Sequence, residues 1–270
     1  MNYLEPETTE FEVAGVQVLV LHEYQNHPFV SGNKWWKLKY NLDEARKQGH
    51  DTLLTFGGAY SNHIYATAAA AKENGFKSVG VIRGEEVNNP TLSFARKQGM
   101  ELRFISREEY RHKDDIKFRD AFVIPEGGTN QYAIEGCAEW GRKLLSIDFD
   151  TVYIPVGTGG TMEGLIKGIG ASKEVVGVPV LKGYDFGHPE WKLLNEYHFG
   201  GYAKVTNELL EFCESLKQEN DLVVEPTYTG KLFYAVFDQI KKGLIEKGKK
   251  VMVIHTGGLQ VLGGGPARTK

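Results

Sequence analysis

The chain has 270 residues, of which 41% are hydrophobic and 25% are charged, a composition typical of a folded globular protein. It carries 32 basic and 35 acidic residues, a formal net charge of −3, so the sequence predicts no nucleic-acid partner. No apolar run is long enough to span a membrane, and the polar N-terminus predicts no signal peptide. We therefore expect a cytoplasmic protein, long enough for two α/β lobes.

The two cysteines, Cys137 and Cys213, do not have the spacing of metal ligands, and a lone pair makes no disulfide framework. Cys137 lies in an apolar helical pattern, which favours a packing role over a catalytic one. The sequence predicts no metal site.

Strand and helix patterns alternate along the chain, which predicts mostly parallel sheets covered by helices on both faces. In chain order the predicted elements are strand Val16–Leu21, helix Lys37–Gln48, strand Asp51–Phe56, helix Tyr60–Asn74, strand Ser78–Ile82, helix Thr91–Gln98, strands Glu101–Ile105 and Ala121–Ile124, helix Ala133–Leu145, strand Thr151–Val156, helix Thr161–Ile169, strand Val175–Val180, helices Glu208–Leu216 and Lys231–Lys247, and strand Val251–His255. Between them, Glu126-Gly127-Gly128 has the character of a crossing between two lobes.

The most informative turn is Gly157-Thr158-Gly159-Gly160-Thr161, which joins a buried strand to a helix. Glycines let the backbone approach an anion, and a helix N-terminus presents unpaired N–H groups. The turn matches neither a Walker loop nor a dinucleotide fingerprint, so a single phosphate monoester fits best. The alternative is a tight turn that binds no ligand.

A second segment, Ser31-Gly32-Asn33-Lys34, precedes a predicted helix. A lysine amine is a nucleophile only when it is unprotonated, which desolvation or a nearby cation favours. Trp35 and Trp36 could supply apolar cover. Taken alone, Lys34 is better interpreted as a surface lysine at a helix start.

Three further segments place polar residues beside glycines at strand or helix ends: residues 57–63, 225–231 and 255–258. In the first, Ser61 and Asn62 either cap the following helix or bind a substrate carboxylate. His63 is either a hydrogen-bonded core residue or a pH-active neighbour of the site. Because ligands bind outside the carboxyl ends of parallel strands, we expect one composite site.

Together these segments resemble the fold type II pyridoxal-phosphate enzymes, the tryptophan synthase β-like superfamily. Within it the chain is similar to the 1-aminocyclopropane-1-carboxylate deaminase / D-cysteine desulfhydrase family. The resemblance covers five motifs in order from residue 31 to residue 258, Gly-Asn-Lys, Gly-Gly-x-x-Ser-Asn-His, Gly-Thr-Gly-Gly-Thr, Pro-x-Tyr-Thr-Gly-Lys and His-Thr-Gly-Gly.

The resemblance implies a role for each site residue. Lys34 would hold pyridoxal 5'-phosphate as a Schiff base and move protons at the substrate carbon, and the turn from Gly157 to Thr161 would cradle the phosphate. Ser61 and the adjacent N–H groups would hold the substrate carboxylate, with His63 on the substrate side. Asn62 would hydrogen-bond the cofactor ring hydroxyl, and Thr229 would face the pyridine nitrogen. Tyr228 and, less securely matched, Tyr202 would project into the substrate space.

Several departures from the family concern substrate choice. Trp35-Trp36 replaces a commoner sequence with a basic residue, and the chain is shorter than typical members, chiefly between Ile169 and Glu211. Thr229 stands where a cyclopropane-ring deaminase would have glutamate. Thr229 and His63 both favour the desulfhydrase side of the family.

We thus predict an α/β fold of two open, mostly parallel twisted sheets with helices on both faces. Residues 1–37 and 130–270 would form the large cofactor-binding domain and residues 38–129 the small one, with the cofactor site between them. The predicted function is a lyase or deaminase on a small amino acid. D-cysteine desulfhydration to pyruvate, sulfide and ammonia is favoured over opening of the cyclopropane amino acid. A non-catalytic pyridoxal-phosphate carrier or sensor is the alternative of another class. The family suggests a homodimer.

Overall fold

A computed structural model of the chain describes residues 1–116, 118 and 120–259. Its strands are β1 (Thr8–Val13), β2 (Val16–Leu21), β3 (Thr52–Gly58), β4 (Lys77–Arg83), β5 (Met100–Ile105), β6 (Phe122–Ile124), β7 (Thr151–Val156), β8 (Glu174–Pro179), β9 (Lys192–Leu193) and β10 (Lys250–Ile254). Its helices are α1 (Asn33–Lys47), α2 (Asn62–Glu73), α3 (Pro90–Lys97), α4 (Arg107–Arg111), α5 (Gln131–Leu144), α6 (Gly160–Ile169), α7 (Asn207–Asn220) and α8 (Thr229–Lys241).

The strands form two sheets, one of six strands in the order β1-β2-β10-β7-β8-β9 and one of four in the order β5-β4-β3-β6. Among these pairs, β1 and β2 run antiparallel and all the others run parallel. The predicted α/β class with mostly parallel sheets is confirmed. The smaller sheet comes from the middle of the chain and the larger from both ends. The exact domain limits at residues 37/38 and 129/130 stay a prediction, and residues 260–270 of the predicted large domain lie outside the described residues.

Alternation along the strands explains why both faces of the larger sheet are covered. In β2, Val18 and Val20 pack in a cluster with residues of α8, whereas Leu19 and Leu21 pack in a cluster with residues of α1, α5 and α6. Successive side chains of a strand point to opposite faces, so an apolar run without polar interruption requires helices on both sides.

The predicted elements and the observed ones differ mainly at edges and ends. The edge strand β1 has a largely exposed pattern, so it lacks the apolar signal of a buried strand. Helix α8 ends at Lys241, where Gly243 takes a φ of 70° and stops it. Helix α1 begins at Asn33, four residues before its predicted start, so Lys34 lies in its first turn.

The described residues lack the features of a membrane span and of a metal site. No helix there is long and apolar enough to cross a membrane. Nor do His, Cys, Asp and Glu side chains gather there in groups of three or more that could hold a metal ion.

Candidate active site

A cavity of about 1670 Å³ opens between the two sheets, at the carboxyl ends of their parallel strands. It is lined by residues at the ends of β3, β4 and β5 on one side, and of β7 and β8 on the other. Ten of the predicted site residues line it: Lys34, Ser61, Asn62, His63, Gly157, Thr158, Gly159, Thr161, Tyr202 and Tyr228. Gly160 and Thr229 are buried and do not line it.

The turn that carries Lys34 depends on Gly32. This glycine has a φ of 65°, and a Cβ built on it would lie 1.9 Å from the carbonyl oxygen of Thr256. No other residue fits there without moving the backbone. The conformation starts α1 at the cavity and directs Lys34 into it.

Asn33 connects Lys34 to the glycine turn. The Lys34 Nζ donates to Asn33 Oδ1 at 3.0 Å, and Asn33 Nδ2 donates to Thr161 Oγ1 at 2.9 Å. Burial, and then the positive charge of Lys37, lowers the pKa of Lys34 to about 7. A large share of the amine is therefore unprotonated near neutral pH, the form that attacks a carbonyl. Asn33 had been assigned no role, although it stands inside the Gly-Asn-Lys motif.

Lys37 is a site residue that the sequence analysis missed. It lies one helical turn after Lys34, lines the cavity and donates to the carbonyl oxygen of Gly127 at 2.8 Å and to Thr129 Oγ1 at 3.3 Å. Burial lowers its pKa to about 8. Its spacing of three residues from Lys34, on one helix face, was the signal that could have identified it.

The glycine turn presents the N-terminus of α6 to the cavity. No side chain caps this helix, so its first amide groups remain available for an anion. Gly159 has a φ of 87°, and a Cβ built on it would lie 3.2 Å from Phe186. Thr158 Oγ1 lies 2.7 Å from Thr129 Oγ1. Because Thr129 Oγ1 also accepts from Lys37 Nζ, this contact connects the glycine turn to Lys37.

At Ser61 both sequence-based interpretations remain open. Its Oγ accepts from the backbone N–H of Ile64 at 3.3 Å, which is a long N-cap hydrogen bond. Ser61 and Asn62 also line the cavity, so both can be reached by a ligand.

His63 is 2% exposed, and neither ring nitrogen has a hydrogen-bond partner among the described residues. Burial and the positive charges of Lys34 and Lys37 push its pKa well below the ordinary value. Within the described residues, His63 is therefore not a hydrogen-bonded core residue. The ring is a neutral group whose nitrogens lie buried at the cavity wall.

The start of α8 forms another wall. Tyr228 donates its hydroxyl to the carbonyl oxygen of Pro155 at 3.1 Å, while Tyr202 is 52% exposed at the cavity. Thr229 is fully buried, and its N–H donates to Glu225 Oε1 at 2.6 Å. Glu225, which the sequence analysis did not single out, lines the cavity in its place.

The Glu225 carboxylate holds the first turn of α8. It also accepts from the N–H of Thr227 at 2.8 Å and from its hydroxyl. Burial raises the pKa of Glu225, and these hydrogen bonds act in the opposite direction. A carboxylate at a helix N-terminus is electrostatically favourable.

Trp35 and Trp36 do not cover Lys34, since neither lines the cavity. Both pack in the core, where Trp36 stacks on Trp140 with ring centroids 6.0 Å apart. Trp36 Nε1 donates to the buried Glu23 at 2.7 Å. The departure from the family pattern therefore lies in the core beneath α1.

These features fit pyridoxal phosphate. The phosphate would meet an uncapped helix start where glycines leave room for it. The aldehyde would meet an amine of which a substantial fraction is unprotonated at neutral pH. The buried, unpartnered nitrogens of His63 lie at the same cavity.

Comparisons with known proteins agree. The family described as "Pyridoxal-phosphate dependent enzyme" matches residues 6–257. A Pyrococcus abyssi protein named provisionally as a 1-aminocyclopropane-1-carboxylate deaminase is 32% identical over 91% of this chain and 85% of its own. The mitochondrial bifunctional D-cysteine desulfhydrase/1-aminocyclopropane-1-carboxylate deaminase of Arabidopsis thaliana is 30% identical over 85% of this chain and 69% of its own.

A crystal structure described as an ACC deaminase homologue superposes with a TM-score of 0.85 at 26% identity, covering 96% of this chain and 90% of that one. The resemblance read from the five motifs is confirmed, and so is the prediction of pyridoxal phosphate as the cofactor. The chain therefore belongs to the pyridoxal-phosphate-dependent enzymes.

Proposed function

We propose that the enzyme removes thiol and ammonia from a small amino acid, with D-cysteine as the leading substrate and pyruvate, sulfide and ammonia as products. The observation that carries the proposal is Lys34, whose amine faces the cavity with a pKa of about 7 and is joined through Asn33 to the glycine turn. Opening of 1-aminocyclopropane-1-carboxylate is the second candidate, because both activities appear in the name of the Arabidopsis relative.

In the proposed site, the amides of Gly157–Thr161 would hold the cofactor phosphate, Lys34 would bind the aldehyde carbon, and Asn62 would hydrogen-bond the ring hydroxyl. When bound, pyridoxal phosphate supplies the electron sink for charge that develops at the substrate α-carbon. Ser61 and the first amides of α2 hold the substrate carboxylate, with neutral His63 behind them.

Lys34 is placed to move the α-proton, because an amine with a pKa near 7 both takes and returns protons at neutral pH. Loss of that proton and breakage of the Cβ–S bond release the thiol. Water then converts the remaining fragment to pyruvate and ammonia. Tyr228 and Tyr202 line the substrate space, where their hydroxyls can meet the leaving sulfur.

A non-catalytic carrier would need only the phosphate turn and Lys34. The additional groups at the cavity, Ser61 and the two tyrosines, favour an enzyme. The test is a screen of small D- and L-amino acids for pyruvate, 2-oxobutyrate, sulfide and ammonia. Catalytic sulfide and pyruvate from D-cysteine would support the proposal, whereas a yellow protein without turnover would favour a carrier.

Two further properties complete the proposal. The composition and the sparse cysteines support a cytoplasmic location. A homodimer is expected from the family, and sedimentation of the purified protein would test it.

Replacing Gly159 with valine should weaken cofactor binding. A Cβ at this φ of 87° is strained and presses on Phe186 and Trp191, so the turn must shift away from its anion-binding geometry. We expect the cofactor dissociation constant to rise at least about tenfold, which is about 1.4 kcal/mol. Fluorescence titration measures it, and Gly170→Val, at a φ of 61° with open space around it, is the matched control. An unchanged constant in a folded Gly159→Val protein would reject the turn as the phosphate site.

Ser61→Ala separates capping from carboxylate binding. Loss of a cap alone lowers the free energy of unfolding by about 0.5–2 kcal/mol. If the hydroxyl also meets substrate, kcat/KM should fall at least about tenfold, roughly 1.4 kcal/mol of transition-state stabilisation. The control is Thr206→Ala, which removes the cap of α7 at a residue that does not line the cavity. A lower melting temperature with intact kinetics would leave Ser61 as a cap only.

A further inference from the structure

Lys231 ends the Pro-x-Tyr-Thr-Gly-Lys motif, and the proposed chemistry does not use it. Its side chain is fully buried, at 0% exposure. In the described part of the chain no carboxylate forms an ion pair with Lys231. The Glu225 carboxylate makes no hydrogen bond to it and affects it only by electrostatic attraction. A buried ammonium is costly unless polar groups compensate it, so the position of this lysine requires a structural reason.

The reason lies in two carbonyl groups of one loop. The Lys231 Nζ donates to the carbonyl oxygen of His198 at 3.0 Å and to that of Gly201 at 2.8 Å. Both carbonyls also accept backbone hydrogen bonds within the loop, from Gly201 N–H at 3.0 Å and from Lys204 N–H at 3.1 Å. The ammonium thus joins the two turns of the loop to α8.

The loop has a conformation that needs such support. Positive φ angles recur in it, at Phe199 (51°), Gly200 (91°), Gly201 (118°) and Ala203 (59°). Side-chain-bearing residues rarely adopt these angles, and doing so carries an energetic cost unless the surroundings hold the backbone there. Phe199 and Ala203 are the two positions where this cost applies.

Tyr202 lies inside this loop, between Gly201 and Ala203. Its side chain is 52% exposed and lines the cavity. Tyr228, one helical turn before Lys231, lines the same cavity. The start of α8 therefore carries Tyr228 and, through the Lys231 ammonium, also hydrogen-bonds the loop that carries Tyr202.

We propose that Lys231 is a positioning residue that fixes the loop of residues 198–204 and so holds Tyr202 at the substrate cavity. The proposal rests on the proposed function of Tyr202 for its kinetic consequence, but its structural consequence is independent of that function. A single helix turn then sets the relative positions of the two tyrosines. Lys231 itself touches neither substrate nor cofactor.

The test uses the holoenzyme and Lys231→Met, which keeps the length of the side chain and removes the donors. Amide hydrogen exchange should speed up roughly tenfold or more in residues 198–204, because local opening no longer breaks the two hydrogen bonds. Exchange in α2 should stay as in the wild type. Lys241→Met, an exposed lysine of the same helix, is the matched control and should leave the loop unchanged.

Kinetics provide the second measurement. Tyr202→Phe and Lys231→Met should lower kcat/KM, and the double variant should be no worse than the more damaged single one, because both act through one group. Lys231→Arg, which keeps the charge and its donors, should recover part of the loss. If Lys231→Met does not fold, Lys231→Arg and Lys231→Gln are compared by the same exchange measurement. The loop should be more protected with arginine, which keeps the charge.

The outcomes are distinguishable. Unchanged exchange in residues 198–204, or fully additive losses in the double variant, would overturn the role of Lys231. If no amino acid is turned over, the proposed function fails, and the exchange measurement alone decides whether Lys231 anchors the loop.

Discussion

Lys34→Ala should abolish turnover while leaving a folded protein that still binds some cofactor. The variant removes both the amine that binds the aldehyde and the group that moves the α-proton, and acid–base catalysis alone contributes about 10²–10⁴-fold. The glycine turn of residues 157–161 is untouched, so the phosphate keeps its contacts. We expect kcat to fall at least about 10³-fold, measured as pyruvate release from D-cysteine. Lys47→Ala, at the exposed end of the same helix, should be as active as the wild type.

Two further observations make this prediction specific to Lys34. Reduction with borohydride should fix the cofactor on Lys34, as read by mass spectrometry of the digested protein. Capture of cofactor by cofactor-free protein should accelerate as the pH rises through about 7, the pKa of this amine. Below that pH the amine is protonated and unreactive, and above it the rate should level off. A lysine with the ordinary pKa of about 10.4 would instead gain rate up to pH 10. Cofactor fixed on Lys37 would reject the assignment.

The order of elements could be predicted from the sequence because buried strands and amphipathic helices carry strong local patterns. Strand β7 has the predicted bounds, Thr151–Val156, and its glycine turn was located correctly. The exposed edge strand β1 has no such pattern, and it was missed. The part of the fold that depends on local periodicity is therefore the part that could be read from the sequence.

The same distinction applies to the site. Motif glycines mark turns, so the residues inside these motifs could be collected, and ten of them meet at one cavity. Lys37 and Asn33 act through contacts with residues distant in sequence, Gly127 and Thr161. Such contacts exist only after folding. The direction of a side chain is equally nonlocal, and the sequence therefore did not show that Thr229 donates to Glu225.

Thr229→Glu should destabilise the protein strongly. Thr229 is fully buried, and its N–H and hydroxyl donate to Glu225 Oε1 at 2.6 and 3.4 Å. A second carboxyl at this position meets a like charge in a place without solvent, which raises its pKa and favours the protonated form. We expect the free energy of unfolding to fall by about 3 kcal/mol or more, because the folded protein keeps this carboxyl protonated at a pH where the unfolded chain ionises it. Denaturant titration above pH 7 measures it. Thr229→Gln, similar in size but neutral, is the control and should cost less.

The same variant tests the choice of reaction. A carboxylate beside the pyridine nitrogen favours the protonated, strongly electron-withdrawing ring, whereas a threonine hydroxyl donates a hydrogen bond to a neutral nitrogen. A neutral ring is the weaker electron sink and favours reactions in which a leaving group departs promptly, as thiol does.

Because Glu225 already lies at the start of α8, the carboxyl introduced by Thr229→Glu should stay protonated. The single variant should therefore change the product ratio little. The double variant Thr229→Glu with Glu225→Gln removes the repulsion, and should recover stability and raise 2-oxobutyrate release relative to pyruvate.

Nitrogen NMR of labelled cofactor should find a neutral ring in the wild type. A protonated ring would indicate that the Glu225 carboxylate, and not the Thr229 hydroxyl, is the partner of the ring nitrogen. Efficient 2-oxobutyrate release by the wild type would overturn the choice of D-cysteine.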